Sequence, residues 1–144
     1  MNAAILDSSV VGAWMIEDEP FHEAALRLMA AVGDGRIEPF LASHCQFEVR
    51  HALVRAARRG RVGWADLPLW FDAIDALEAT IVPPAEKVGP VLALAERFQL
   101  SWSDAQWVEI AARLDIPLVT ADLRLVRSVP DEVAILVDVR DAVA

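Results

Sequence analysis

The sequence predicts an α/β domain, a doubly wound α/β/α sandwich on a mainly parallel sheet of about five strands. Three observations predict it. Short apolar runs alternate with helical-period segments of ten or more residues, which is the spacing of βαβ units. The runs AAIL and VAILV are apolar at every position, as strands covered on both faces are. The chain has 144 residues, enough for one domain (residues 1–144) with a core that needs no disulfide or structural metal.

Residues 3–6 read as a buried strand ending at Asp7, and Ser8 and Ser9 suit the cap of a following helix. An amphipathic helix over 21–32 is stopped by Gly33 and Gly35, and 37–42 form a second strand. Ser43 suits the cap of a long helix that runs to about Arg59 and ends at Gly60. A helix over 64–79 follows, then a strand at 80–82 closed by Pro83 and Pro84. Helices over 86–98 and 103–114 lead to a strand at 117–120, which ends in Ala121 and Asp122. A short helix then runs through Arg127, with a last strand at 133–137 and a tail over 138–144.

Composition excludes several classes. Cys45 is the only cysteine, and His22, His44 and His51 are scattered, so no Cys/His zinc spacing exists. No apolar run approaches the roughly 18 residues of a membrane span. The start MNAAILDSS lacks a basic region and meets Asp7 early, so no signal peptide is expected and the chain reads as cytoplasmic. Hydrophobic residues make up 56% of the chain, above the usual ~45–50%. That excess predicts a homodimer or a tightly bound partner. Thirteen basic against 22 acidic residues give a net charge of −9, and Lys87 is the only lysine. Such a chain is a poor non-specific nucleic-acid binder, so any such role needs a local basic patch or a bound cation.

In open parallel sheets, sites form beyond the carboxyl ends of strands where strand order reverses. Asp7 and Asp122 both end strands and would share a crevice if those strands are neighbours; each also suits a turn or cap. Asp138, another strand-end acid, lies near the C-terminus and reads as structural. Asp104 shares a helical stripe with Trp107, Val108 and Ala111, a costly place for an unpaired carboxylate. It could equally be a first-turn acid favoured by the helix dipole, with Ser101 or Ser103 as cap. Glu48 borders the stripe of Cys45, Val49, Ala52 and Ala56, with Arg55 and Arg59 further along the same face. That row suits a metal ligand followed by a phosphate track, or a solvated charged face.

Taken together, LDSSV near the start, FEVRHAL in the third helical segment and SDAQWVEIAARLDIPLVTAD resemble the PIN domain family, specifically its VapC-type toxins. The last stretch is the most specific, with its two acids, Asp104 and Asp122, eighteen residues apart. The resemblance implies four acidic site positions, Asp7, Glu48, Asp104 and Asp122, with Ser9 and Thr120 as supporting hydroxyls. Many relatives carry a tyrosine just before the SDA-type aspartate, whereas this chain has Trp102 and Ser103 there. The resemblance also implies ribonuclease activity, dependence on a divalent metal and a cognate antitoxin gripped around the helix pair at Gly60. In that pair Trp64, Leu67, Trp70 and Phe71 form a stripe that suits either core or interface. All-oxygen ligation suits Mg²⁺, with Mn²⁺ as a substitute. Asp7, Asp104 and Asp122 are then the main expected ligands, Glu48 a ligand directly or through water, and Arg55 and Arg59 RNA-phosphate contacts.

Rival readings fit less well. A receiver domain needs a late lysine, and none follows Lys87. A haloacid-dehalogenase-type phosphatase needs an aspartate two residues after the first, where this chain has Ser9. The rival from another class is a catalytically silent module whose acidic pocket receives only a partner's arginine.

Overall fold

The computed structural model describes residues 1–143. Five strands, β1 (Ala3–Leu6), β2 (Glu38–Ala42), β3 (Thr80–Val82), β4 (Leu118–Thr120) and β5 (Leu136–Asp138), form one sheet in the order β3-β2-β1-β4-β5. Every neighbouring pair is parallel. The chain therefore winds outward from β1 to β3, crosses back and winds outward again through β4 and β5. The reversal lies between β1 and β4.

Among the described residues seven α-helices join the strands: α1 (Ser8–Met15), α2 (His22–Gly33), α3 (Cys45–Arg58), α4 (Leu67–Asp75), α5 (Val88–Phe98), α6 (Trp102–Leu114) and α7 (Leu123–Ser128). Parallel crossovers are right-handed, so opposite winding directions put α1–α4 on one face and α5–α7 on the other. The contacts agree, with α1 against α2 and α3, α3 against α4, and α5 against α6. The core sits on both faces of the central strands, where Ile5, Leu6, Leu118 and Val119 are fully buried beside Leu28, Leu53, Trp107 and Ile110. No helix among the described residues is long and apolar enough to cross a membrane.

Register places the site. Ile5 pairs with Leu118 and Leu6 with Val119. The Asp7 amide continues this ladder, donating to the Val119 carbonyl at 3.1 Å. Asp7 thus stands level with Thr120, and Thr120 pairs with Asp138 on the far side.

Several local expectations change. Asp7, rather than Ser8 or Ser9, caps α1: its backbone is extended and its side chain accepts the Ser9 amide. Ser43 does not cap α3, which starts after His44 with no side-chain cap. The segment over 64–79 is shorter than expected, a 3₁₀ turn (Trp64–Asp66) leading into α4, which ends at Asp75. The last strand lies three residues later, because the Val133 amide closes a turn on the Pro130 carbonyl and register with β4 begins at Leu136. Gly60 does end the long helix, with φ +72 in the left-handed region where a side chain is strained. Asp138 is structural: buried at 7% exposure, it pairs with the Arg140 guanidinium and accepts the Arg140 amide. That pairing holds its carboxyl below the usual range.

Candidate active site

Asp7 stands at the carboxyl end of β1 and is 5% exposed. Burying a carboxylate is costly unless its oxygens are hydrogen-bonded, and here both are. One accepts the Ser9 amide, and the other accepts the Thr120 hydroxyl at 2.6 Å. The Thr120 hydroxyl also accepts the Asp122 amide at 3.1 Å. Ser9 Oγ accepts the Ala121 amide at 3.0 Å and lies 3.5 Å from Thr120 Oγ1. Ser9 and Thr120 therefore lock the β1–α1 and β4–α7 turns together. Burial pushes the Asp7 carboxyl up despite these hydrogen bonds, and the charge of Asp104 adds to the shift.

Asp122 caps α7, its Oδ1 accepting the Arg124 and Leu125 amides at 2.9 and 3.1 Å. Asp104 lies in the first turn of α6, half-buried, on the stripe whose members Trp107, Val108 and Ala111 enter the core. Ser101 caps that helix by accepting the Asp104 amide at 3.1 Å. Burial raises the Asp104 carboxyl, Ser101 opposes the rise, and repulsion from Asp122 and Glu48 adds to it.

Glu48 projects from the first turn of α3 and ties three helices together. Its Oε2 accepts the Ser8 hydroxyl of α1 at 3.0 Å, and its Oε1 accepts the Ser103 hydroxyl of α6 at 2.7 Å. The buried His44 Nε2 lies 3.0 Å from Oε1. Burial pushes Glu48 up, and His44, Ser103 and Ser8 outweigh it to hold the carboxyl below its usual range. Cys45 lies beneath, its thiol pushed up by burial and by the charges of Asp7 and Glu48, which keeps it an inert core group.

The four acids thus come from four separate segments to one edge of the sheet, where Asp104 is coupled by charge to Asp7, Asp122 and Glu48. They are not drawn into a cage: among the described residues no three His, Cys, Asp or Glu side chains converge closely enough to hold a metal ion. The acids themselves still fit a hard divalent cation in kind, since Asp7, Glu48, Asp104 and Asp122 offer only carboxylate oxygens, with the Arg124 guanidinium beside Asp104 and His44 beside Glu48.

Beside the acids a cleft of about 430 Å³ runs between α1 and α3, with Ser8, Ser9, Glu48 and Asp122 at one end and Arg55 among its walls. Arg59, the residue after α3, is exposed and does not line this cleft. Ser8, Ser103 and His44, the immediate partners of Glu48, were not singled out by sequence for that role. On the other side of α3, Leu67 enters the core, Trp70 and Phe71 are half-buried, and Trp64 stays 57% exposed. A groove of about 580 Å³ there is lined by Val54, Trp64, Leu67 and Phe71.

Among solved structures, PAE2754 from Pyrobaculum aerophilum superposes with a TM-score of 0.71 at 21% identity, over 94% of this chain and 83% of that one. VapBC2 from Rickettsia felis, solved bound to a DNA fragment from the promoter, superposes with a TM-score of 0.68 at 11% identity, over 94% and 98% of the two chains. At these identities both likenesses speak to the fold. No curated protein matches the sequence. The model of the PIN domain matches residues 4–129, a span that takes in Asp7, Glu48, Asp104 and Asp122 alike. The chain belongs to the PIN domain family.

Proposed function

We propose that the chain is a divalent-metal-dependent endoribonuclease, the toxin of a toxin–antitoxin pair, acting in the cytoplasm. One observation carries the reading: Asp7, Glu48, Asp104 and Asp122 come from four segments to the reversal point of a parallel sheet, where burial, with repulsion from Asp122 and Glu48, raises the proton affinity of Asp104. Repelling carboxylates suit a site that a cation completes. Members of the family are generally nucleases.

Asp7, Asp104 and Asp122 would hold the ion, with Glu48 bound directly or through water. When bound, Mg²⁺ or Mn²⁺ supplies the positive charge that orients a scissile phosphate, lowers the pKa of a water and offsets charge in the transition state. The chain's own residues prepare that site. Thr120 and the Ser9 amide fix Asp7, Ser8 and Ser103 fix Glu48, and the α7 cap fixes Asp122. Arg55, on the cleft wall, would pair with a backbone phosphate, and Arg59 with the strand further out. The net charge of −9 suits an antitoxin with a basic segment. The apolar groove between α3 and α4 is the proposed seat of that partner, and a homodimer would cover further exposed apolar surface.

The test is Asp7→Asn. Asparagine can keep the α1 cap while removing the charge. The wild-type chain in Mg²⁺ should cut RNA, and the variant should lose about 100-fold or more of that rate with unchanged circular dichroism. Cleavage by the variant at the wild-type rate would sink the assignment. The open arrangement of the acids favours a second reading, a silent module that binds only a protein. Calorimetry separates the two: Mn²⁺ binding abolished by Asp7→Asn supports the nuclease, and no binding by the folded wild-type chain supports the silent module.

A further inference from the structure

Phe47 is the most exposed large apolar residue described, at 75%, although it sits in the first turn of a well-packed helix. Packing does not explain it. Its ring lies near-parallel to that of His51, one turn further along α3, with an interplanar angle of 12° and centroids 6.4 Å apart. Both side chains line the cleft that holds Ser8, Glu48 and Asp122, and Arg55 follows one turn beyond His51 on the same wall. The opposite wall carries Phe21, whose ring is backed by the Arg140 guanidinium at 5.3 Å. Glu19, on that same wall, is anchored from behind by Arg61, which also grips Asp18. The cleft therefore has two braced walls, each with an aromatic ring, and opens beside the acids.

We propose that Phe47 and His51 form a stacking platform for an unpaired nucleobase of single-stranded RNA, placed next to the scissile phosphate. The proposal rests on the nuclease reading for its substrate and goes beyond it by naming how the strand is held. Charge argues for stacking as the main grip. Among the described residues Arg55 is the only arginine lining a cleft that also carries Glu19, Glu48 and Asp122, so phosphate pairing is weak there. Unpaired bases stack on aromatic and guanidinium planes irrespective of sequence, and an exposed Phe–His pair followed by Arg presents those planes in a row. A duplex keeps its base faces covered and cannot use them.

The platform is tested with a short single-stranded oligoribonucleotide carrying the fluorescent base 2-aminopurine, in the Asp7→Asn background so that it is not cut. Binding should quench the fluorophore by stacking. Phe47→Ala should weaken binding about tenfold or more and remove the quenching, and Phe47→Trp should restore both. Phe47→Leu, apolar but without a π face, should not restore them. In the cutting enzyme, Phe47→Ala should raise KM by a similar factor with kcat little changed, for single-stranded substrate. Binding should fall only shallowly with salt, since few phosphates are neutralised. Unchanged quenching and KM in Phe47→Ala overturn the platform, and loss of antitoxin binding alone would reassign Phe47 to the protein interface. A wild-type chain that binds and quenches but cuts no RNA overturns the nuclease reading and leaves the platform standing.

Discussion

Thr120 is fully buried, yet its hydroxyl donates to Asp7 and accepts from the Asp122 amide. A buried hydroxyl satisfied on both sides couples two acids 115 residues apart in sequence through a single atom. Thr120→Val keeps the shape and removes both hydrogen bonds. In the nuclease reading it should lower Mn²⁺ affinity or activity by about 10–100-fold, while Thr120→Ser stays near wild type. Calorimetry and initial rates check this, and equal values for all three proteins would remove Thr120 from the site. Asp7 and Asp122 were legible as candidates in the sequence because each ends a strand, whereas Ser9 and Thr120 came as supporting hydroxyls only from the family resemblance. Ser8 and Ser103 were not legible as partners of Glu48. Those contacts span 40 and 55 residues and exist only because α1, α3 and α6 meet beside the sheet edge. Periodicity records which side of a helix is buried, and it carries no record of which helix lies opposite.

The site is built on helix starts. Asp7 caps α1, Ser101 caps α6 and Asp122 caps α7. Two of these caps are themselves proposed ligands, and the third holds the turn that carries Asp104. Ser101→Ala should cost about 1 kcal/mol of stability and also slow cleavage, because the first turn of α6 loosens under Asp104. Ser101→Thr should recover both. Urea unfolding beside initial rates reads the pair, and a variant that loses stability without losing rate would show that the turn does not position the acid. Element existence was legible because every expected strand and helix carries an apolar run or stripe. Boundaries were less so. Ser8, Ser9 and Asp7 are all good capping residues, and only the extended backbone of Asp7 beside Val119 selects among them. The final strand slid to Leu136–Asp138 because sheet register outranks local β preference.

At the scale of the whole molecule, the sequence predicted a parallel doubly wound sheet, and it left the adjacency of β1 and β4 as a condition on the site. The observed order β3-β2-β1-β4-β5 meets that condition. It also puts β3 at an open edge, and there the apolar excess surfaces. Leu69 on α4 is 70% exposed, Ile81 on β3 49%, and Val88 and Leu92 on α5 65% and 58%. Val91 between them is buried while Val88 and Leu92, four residues apart, are exposed, so the apolar stripe of α5 extends past its core contact onto the surface. An apolar stripe wider than its core contact is costly in a monomer and suits burial against a second copy. Sedimentation velocity should therefore give a particle of twice the 15.8 kDa chain mass. Leu92→Glu should place a charge in that seam and leave a folded monomer, because Leu92 contributes little to its own core. The melting temperature of the wild type should rise with protein concentration, and that of the variant should not. A wild-type chain that stays monomeric at its highest soluble concentration would overturn the dimer and leave the α5 face to a different partner.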